Sequence, residues 1–393
     1  MFKPTIENIA SGSYIFMENR EPQDYFYIIQ SGTVVCSHKH SEKKVTYGAG
    51  NIIGVVSCMT GRTQTESVLA VSPVTAVKVM RSQYVDLIKG NTAVAMKIVQ
   101  MLSRDLRIFN ETYEKRTGHT NTLSRTEHIY DTAVYYENSS MPDLAAFTYY
   151  QYLKESLNGI NREAAQKAYD KLKTKVHVVY LEPTDEMARA YPEGSMIFTE
   201  GQTGREMFIV QKGSVRISKI VNEEEQIIAF FKPGDVLGEM ALLENDYRSA
   251  NAIANEDCVL LVLNRENFDQ MVQTQPQYIY KLTTTLANRH WYSYRRLSNL
   301  RFSDVRARLI DMIATQLEMS RVNKDEMELQ YETNLSPLDL VNMCGYNAEE
   351  QGNITNVLTT TQHIRIHNGK IVISDCEELI KQAEFNRKKI DKK

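Results

Sequence analysis

The chain has 393 residues, enough for two or three domains of the usual one to two hundred residues each. Its make-up, 42% hydrophobic and 24% charged, is that of a globular protein; it has no run of about 18 apolar residues to cross a membrane, and Met1-Phe2-Lys3-Pro4-Thr5 lacks the apolar core of a signal peptide, so a cytoplasmic setting with no membrane partner is expected. A net charge of −3 argues against unspecific affinity for nucleic acid, and five scattered cysteines (Cys36, Cys58, Cys258, Cys344, Cys376), with no C-x-x-C and no Cys/His pairing at metal spacing, argue against a zinc site.

From Ser11 to about Arg81 the pattern is of short strands broken by turns: Tyr14-Ile15-Phe16, Phe26 to Ile29 ending at Ser31-Gly32, Thr33-Val34-Val35, Asn51-Ile52-Ile53 and Val74 to Val77. Closely spaced short strands with glycine punctuation predict a β-sandwich or jelly roll. The same signals return later. Gly194 to Phe198 echoes Gly12 to Phe16, Met207 to Val215 echoes Phe26 to Val34, and Gly234-Asp235-Val236-Leu237-Gly238 matches Gly50 to Gly54 without a gap, so the roll is duplicated.

Each copy is followed by a helical seam. Ala95, Val99, Leu102, Leu106, Phe109 and Tyr113 recur every three or four residues, as do Ile279, Leu282, Leu286, His290, Ser293, Leu297 and Leu300. Both seams need a partner helix, in a second chain or in this one. Between the copies, roughly residues 121–182, small residues alternate with tyrosines over Thr126 to Tyr136, Asp143 to Ser156 and Arg162 to Lys173, a pattern similar to tetratricopeptide-type hairpins and read as a spacer packed on its neighbours.

The second roll carries the chemistry. After the Pro233-Gly234-Asp235 turn come Gly238, Glu239, Met240 and Ala241, then Arg248 and Ser249. A helical turn opening there presents backbone N–H groups to an anion, Arg248 adds a planar, permanently charged fork for a phosphate, and Glu239 can accept sugar hydroxyls. In the first copy Val55 stands in place of Glu239 and Gln64 in place of Arg248, which removes both functions; Arg62 lies two positions earlier as the nearby cation.

These residues resemble the phosphate-binding cassette of cyclic-nucleotide-binding domains, Gly-Glu-(Leu/Met)-Ala-Leu and then Arg with a small residue. The resemblance implies that Glu239 holds the ribose 2′-hydroxyl and that Arg248 holds the cyclic phosphate, helped by Ser249 and the amides of Met240 and Ala241. From Arg248 to Val305 the chain resembles the catabolite-activator (cAMP receptor protein/Fnr) family, which implies that Ser293 contacts the base and that Tyr294 stands where the family has a second hydroxyl. From Phe302 onward it resembles that family's winged helix-turn-helix. Leu335 to Tyr346 supplies the first helix and turn, with Ser336 as N-cap and Pro337 at the first helical position, Asn347 to Leu358 the second helix, and His363 to Ile373 the wing.

The expected fold is therefore α+β: two double-stranded β-helix (jelly-roll) cyclic-nucleotide-binding domains, each with a long dimerisation-type helix, a helical spacer between them and a C-terminal winged helix-turn-helix. The boundaries expected are 1–118, 119–182, 183–301 and 302–393. A cyclic mononucleotide, cAMP first, is the expected ligand, with no metal, haem or iron–sulfur cluster and no enzymatic activity. A homodimer or an intramolecular pseudo-dimer would pair the seams.

Two readings of the C-terminal domain stand. DNA binding follows from the resemblance, yet the second helix exposes Glu349, Glu350, Gln351, Asn353 and Asn356 rather than arginines. From Ser303 onward twelve Lys/Arg face fifteen Asp/Glu, a balance of −3, and five of those cations lie after Asn386 in what reads as a solvated tail. The alternative is a sensor or scaffold acting through protein contacts.

Overall fold

A computed structural model describes residues 4–39, 41–117, 124–221, 224–238, 247–320, 331–333, 335–346 and 351–391. Strands β1 (Thr5–Ile9), β2 (Tyr14–Phe16), β3 (Tyr25–Ser31), β4 (Val34–His38), β5 (Ser41–Tyr47), β6 (Ile52–Ile53), β7 (Ser67–Ala70) and β8 (Val74–Met80) form the first roll, with the short helix α1 (Val55–Thr60) after β6. Helices α2 (Tyr84–Gly90) and α3 (Thr92–Thr117) follow, then α4 (Arg125–Asn138), α5 (Pro142–Glu155) and α6 (Arg162–Leu172) of the spacer. The second roll comprises β9 (Ala188–Tyr191), β10 (Met196–Phe198), β11 (Met207–Lys212), β12 (Val215–Val221), β13 (Glu224–Phe231), β14 (Val236–Leu237), β15 (Asn251–Ala254) and β16 (Cys258–Leu263), followed by α7 (Arg265–Thr274) and α8 (Pro276–Asn299). The C-terminal part holds α9 (Val305–Ser320), β17 (Tyr331–Glu332), α10 (Pro337–Met343), α11 (Gln351–Thr359), β18 (Ile364–His367), β19 (Lys370–Ile373) and α12 (Cys376–Asp391).

The chain divides into two compact units. One contains Ser82–Arg104 and Asn121–Leu286; the other contains Lys3–Arg81, Asp105–Thr120 and Ala287–Lys393. In the first of these, the second roll is a pair of four-stranded sheets, β10-β15-β12-β13 and β14-β11-β16-β9. Their facing side chains, Phe198, Phe208, Val215, Leu237, Ala252 and Leu260 among them, make the core. The spacer shares a second core with this roll: Ile129, Ala133, Tyr136, Phe147 and Tyr152 pack with Met196 and Ile253. The alternation of alanine and tyrosine serves this packing, since Ala145, Ala146 and Ala165 let backbones approach while the rings fill the gaps. Arg125 of α4 donates to the Gly201 carbonyl (2.5 Å), and Glu155 of α5 accepts the Thr203 N–H (2.8 Å), so polar contacts fix the spacer on the loop after β10.

In the other unit the first roll repeats the design, with sheets β1-β8-β3-β6 and β2-β7-β4-β5 around Phe16, Tyr27, Val34, Val68 and Ala76. Strands β1, β5 and β7 carry no clear sequence signal. The first two lie at sheet edges, where charged residues such as those of Ser-Glu-Lys-Lys are favoured and hydrophobic alternation is lost.

The second half of α3 and the second half of α8 pair within this unit, so the seams close inside a single chain. Phe109, Tyr113, Tyr294 and Leu297 form their shared core with Leu300 against it, the His290 ring sits 4.8 Å from that of Phe109, and His290 Nε2 lies 3.7 Å from Asp105. The polar interruption of the second seam thus meets a polar partner.

The C-terminal part packs α9, α10, α11 and α12 on the small sheet β17-β19-β18, with Leu309, Ile313, Leu340, Leu358, Ile371 and Leu379 at the centre. Ser336 and Asp339 make the reciprocal capping box at the start of α10. The β18–β19 turn places Asn368 and Gly369 at φ 49° and 75°, the left-handed pair that a two-residue hairpin of right-handed twist requires.

The lysine-rich end corrects the sequence reading. Residues 376–391 are helical, and Arg387, expected in a solvated tail, is inserted beside Asp311 (2.5 Å) and Glu318 (2.8 Å) of α9. A cation that satisfies two buried or half-buried carboxylates gains more than it does in water, which spacing alone does not reveal.

All five cysteines are buried and free of disulfides, and burial pushes the Cys58 and Cys258 thiols up to about 11. No described helix is long and apolar enough to cross a membrane.

Candidate functional site

The two rolls share a pair of backbone hydrogen bonds at the position of Arg248. Arg248 N–H donates to the Gln202 carbonyl (2.9 Å) and Gly201 N–H to the Arg248 carbonyl (2.8 Å); Gln64 makes the same pair with Arg20 (3.0 Å) and Asn19 (2.9 Å). Gln64 therefore occupies the place of Arg248, and Asn19 adopts the positive φ of Gly201 (63° against 84°).

In the second roll, Arg248 is 7% exposed, and its guanidinium lies 4.3 Å from the Phe198 ring centroid. Nη1 donates to the Gly238 carbonyl (3.0 Å) and Nη2 to the Glu206 carbonyl (2.6 Å). The two carbonyl oxygens orient the guanidinium. Two glycines make the space: a Cβ on Gly204 would fall 2.4 Å from the guanidinium carbon, and one on Gly238, whose φ is 71°, would fall 2.3 Å from Nη1. Ser249 follows on the exposed side. Of the predicted site residues the structure thus brings Gly238 and Arg248 together; Glu239, Met240 and Ala241 lie outside the described residues.

Sequence reasoning missed the support of this arginine. Glu206, whose carbonyl takes Nη2, spends its carboxylate on Arg189 of β9 in a buried two-point pair, 2.7 and 2.8 Å. No motif marks that pair, because its members are 17 positions apart and meet only across the sheet.

Gly54 of the first roll also has a positive φ (82°), but α1 follows with Val55 and Cys58 turned into the core, at 1% and 0% exposure. The Gln64 carboxamide nitrogen is buried with no hydrogen-bond partner among the described residues. Arg62 does not turn inward to replace the missing cation. It donates to Asn288 Oδ1 of α8 (2.9 Å) and to the Glu318 carbonyl of α9 (3.1 Å) and lies over the Trp291 ring.

Ser293 and Tyr294 belong to the unit of the first roll. Ser293 Oγ lies 3.5 Å from Asn110 Oδ1 of α3, and the Tyr294 hydroxyl donates to the Glu18 carboxylate, which also accepts the Lys39 N–H (2.8 Å). Burial raises the Glu18 carboxyl above its usual range, and the bonds from Tyr294 and Lys39 offset this only in part. Removing the hydroxyl with Tyr294→Phe leaves a buried acceptor short of a donor and should lower stability by about 1–3 kcal/mol, read from denaturant unfolding at neutral pH. A raised folded pKa makes Glu18 favourable at low pH and less so as pH rises through that pKa, so the loss in the variant should shrink on acidification.

The model of the "Cyclic nucleotide-binding domain" matches residues 6–91 and 188–275. The chain is 35% identical over 122 residues to the cyclic AMP receptor protein of Thermus thermophilus, covering 31% of this chain and 56% of that protein. To the cAMP-activated global transcriptional regulator CRP of Pasteurella multocida it is 28% identical over 189 residues, 47% of this chain and 88% of that one. Among solved structures, the Thermus thermophilus catabolite activator protein covers 51% of this chain with 90% of its own, at 26% identity and a TM-score of 0.28. With its paired rolls, one holding a buried arginine where the other holds an amide, the chain carries two copies of a region that matches the cyclic nucleotide-binding domain and is similar, over a third to a half of its length, to cAMP receptor proteins.

Proposed function

We propose that this regulator takes one cyclic mononucleotide per chain, in the second roll, with cAMP the preferred ligand. The observation that carries the reading is Arg248, a guanidinium oriented by two carbonyls at a position where the first roll has an uncharged glutamine. Arg248 and the amides of Met240 and Ala241 hold the cyclic phosphate, Glu239 accepts the ribose 2′-hydroxyl, and Ser249 assists. Ser293 is the proposed base contact; Tyr294 would have to leave Glu18 to join it. Isothermal titration with cAMP, cGMP and a cyclic dinucleotide should give one site per chain and the tightest binding for cAMP. Two equal sites would refute the choice of the second roll, and no heat with any of the three would refute the reading.

The ligand acts by shifting an equilibrium between arrangements of the C-terminal domain, which we read as a winged helix-turn-helix with α10 and α11 as its helix pair and β18–β19 as its wing. The wing carries Arg365 and Lys370, which point the output to DNA. One observation favours the other reading, contact with a protein: α11 (Gln351–Thr359) has neither lysine nor arginine, and Arg387 is committed to Asp311 and Glu318. Gel retardation on a pool of duplexes at several salt concentrations separates the two. DNA recognition gives retardation that cAMP strengthens and that falls steeply with salt; its absence with and without ligand selects the protein contact.

A further inference from the structure

We propose that the buried ion pair Arg189–Glu206 is the positioning device of the phosphate site, fixing the carbonyl that aims Arg248. The proposal rests on the reading of Arg248 as the phosphate-binding group and deepens it.

Arg189 is 2% and Glu206 8% exposed, and their bond is two-pronged, Nη1 to Oε2 at 2.8 Å and Nη2 to Oε1 at 2.7 Å. The arginine is anchored in turn on Thr184, through Nε to the hydroxyl (3.1 Å) and Nη2 to the carbonyl (2.6 Å). Glu206 is thereby held at both ends. Its carboxylate is fixed on β9, and its carbonyl, 2.6 Å from Arg248 Nη2, receives the guanidinium. Gly204, two residues before, has no side chain to displace the arginine from that carbonyl.

A buried pair of this kind is a poor way to stabilise a fold, because desolvating both ions offsets most of their attraction and apolar residues of similar volume do as well. What the pair provides that apolar residues do not is direction. A two-point bond fixes the orientation of residue 206, and the loop before β11 then holds its carbonyl at one place.

The first roll is the internal control. Strand register aligns Ile9 with Tyr191, through Val74 and Cys258, and Phe26 with Met207, through Val79 and Leu263. By that register Glu7 stands for Arg189 and Tyr25 for Glu206. Glu7 there bonds the Tyr27 hydroxyl and Lys78 Nζ (3.0 Å) instead. Within one chain, the copy that lacks the arginine at the cassette also lacks both members of the pair that would aim it.

The test uses the full chain. Binding of cAMP is measured by titration for wild type, Glu206→Gln, Arg189→Met, the double variant, and Glu206→Gln combined with Arg248→Lys. In parallel, guanidinium 15N spectra of the ligand-free proteins follow Arg248, its signal being the one that Arg248→Lys removes. Each single variant should bind cAMP about tenfold more weakly, the size of a coupling within one hydrogen-bonded network. The double should lose no more than either single, and Glu206→Gln should cost little in the Arg248→Lys background, where no fork remains to be aimed. The Arg248 signal should shift and exchange faster in both singles. Unchanged affinity with an unchanged Arg248 signal, even with a lower melting temperature, overturns the positioning role and leaves the site assignment intact. If wild type binds no cyclic nucleotide, the functional reading falls, while the guanidinium spectra still decide whether the pair holds Arg248.

Discussion

Arg248→Ala should weaken cyclic-nucleotide binding by about 2–5 kcal/mol, or about thirty- to several-thousand-fold in Kd, the range for truncating one partner of a desolvated, hydrogen-bonded charge pair. The cause is specific to the site. Arg248 is buried against Phe198 and Phe208, its Nη atoms oriented by the Gly238 and Glu206 carbonyls, so a bound phosphate meets a charge whose aim is already set. Isothermal titration reads the loss directly; unchanged affinity would remove Arg248 from the site. The reciprocal Gln64→Arg should not create a second site. Val55 is sealed in the core at the position that matches Glu239, and a guanidinium at residue 64 lacks the Arg189–Glu206 support.

Asp311→Ala should destabilise the C-terminal part by about 3–5 kcal/mol, the cost of leaving a buried charge without its partner. Asp311 is 1% exposed and accepts from Arg295 Nη2 (3.0 Å), Arg387 Nε (2.5 Å) and Asn299 Nδ2 (2.9 Å). Removing it takes from Arg295 of α8 the carboxylate it bonds and leaves Arg387 of α12 with Glu318 of α9. Burial alone would raise its carboxyl, but the neighbouring Arg387 and Arg295 charges overcome that and hold it below the usual carboxylate range. A depressed carboxyl contributes stability that is present above its unfolded pKa, about 3.9, and is lost as pH falls through the folded value. Denaturant unfolding of wild type should therefore weaken on acidification below about pH 4 by this route, and Asp311→Asn, which keeps the shape, should lose most of that dependence. An alanine variant within 1 kcal/mol of wild type would refute the role.

The two long helices show how a legible pattern can leave its partner open. Both seams are plain in the spacing of Leu102, Leu106 and Phe109 and of Leu282, Leu286 and Leu297, because a helix buries residues three and four apart whatever covers them. His290 reads as a defect in the second seam until Asp105 of α3 is placed 3.7 Å from it. Arg62 is a similar case. In the sequence it is the cation nearest the lost cassette, and in the fold its guanidinium reaches Asn288, Trp291 and the Glu318 carbonyl.

The sequence by itself determined the strand and turn pattern of each roll, the placing of Gly238 before Arg248, the Val55 and Gln64 that stand at the matching positions, and the capping box of Ser336 and Asp339. All of these depend on residues a few positions apart, within reach of local backbone geometry. Only the tertiary structure decided that the helical seams close within one chain, that Arg387 is half-buried against Asp311 rather than solvated, and that Arg189 and Glu206 stand behind Arg248. Those are bonds between residues 17 to 185 positions apart, and the desolvation that gives them their weight arises only once the chain has folded around them.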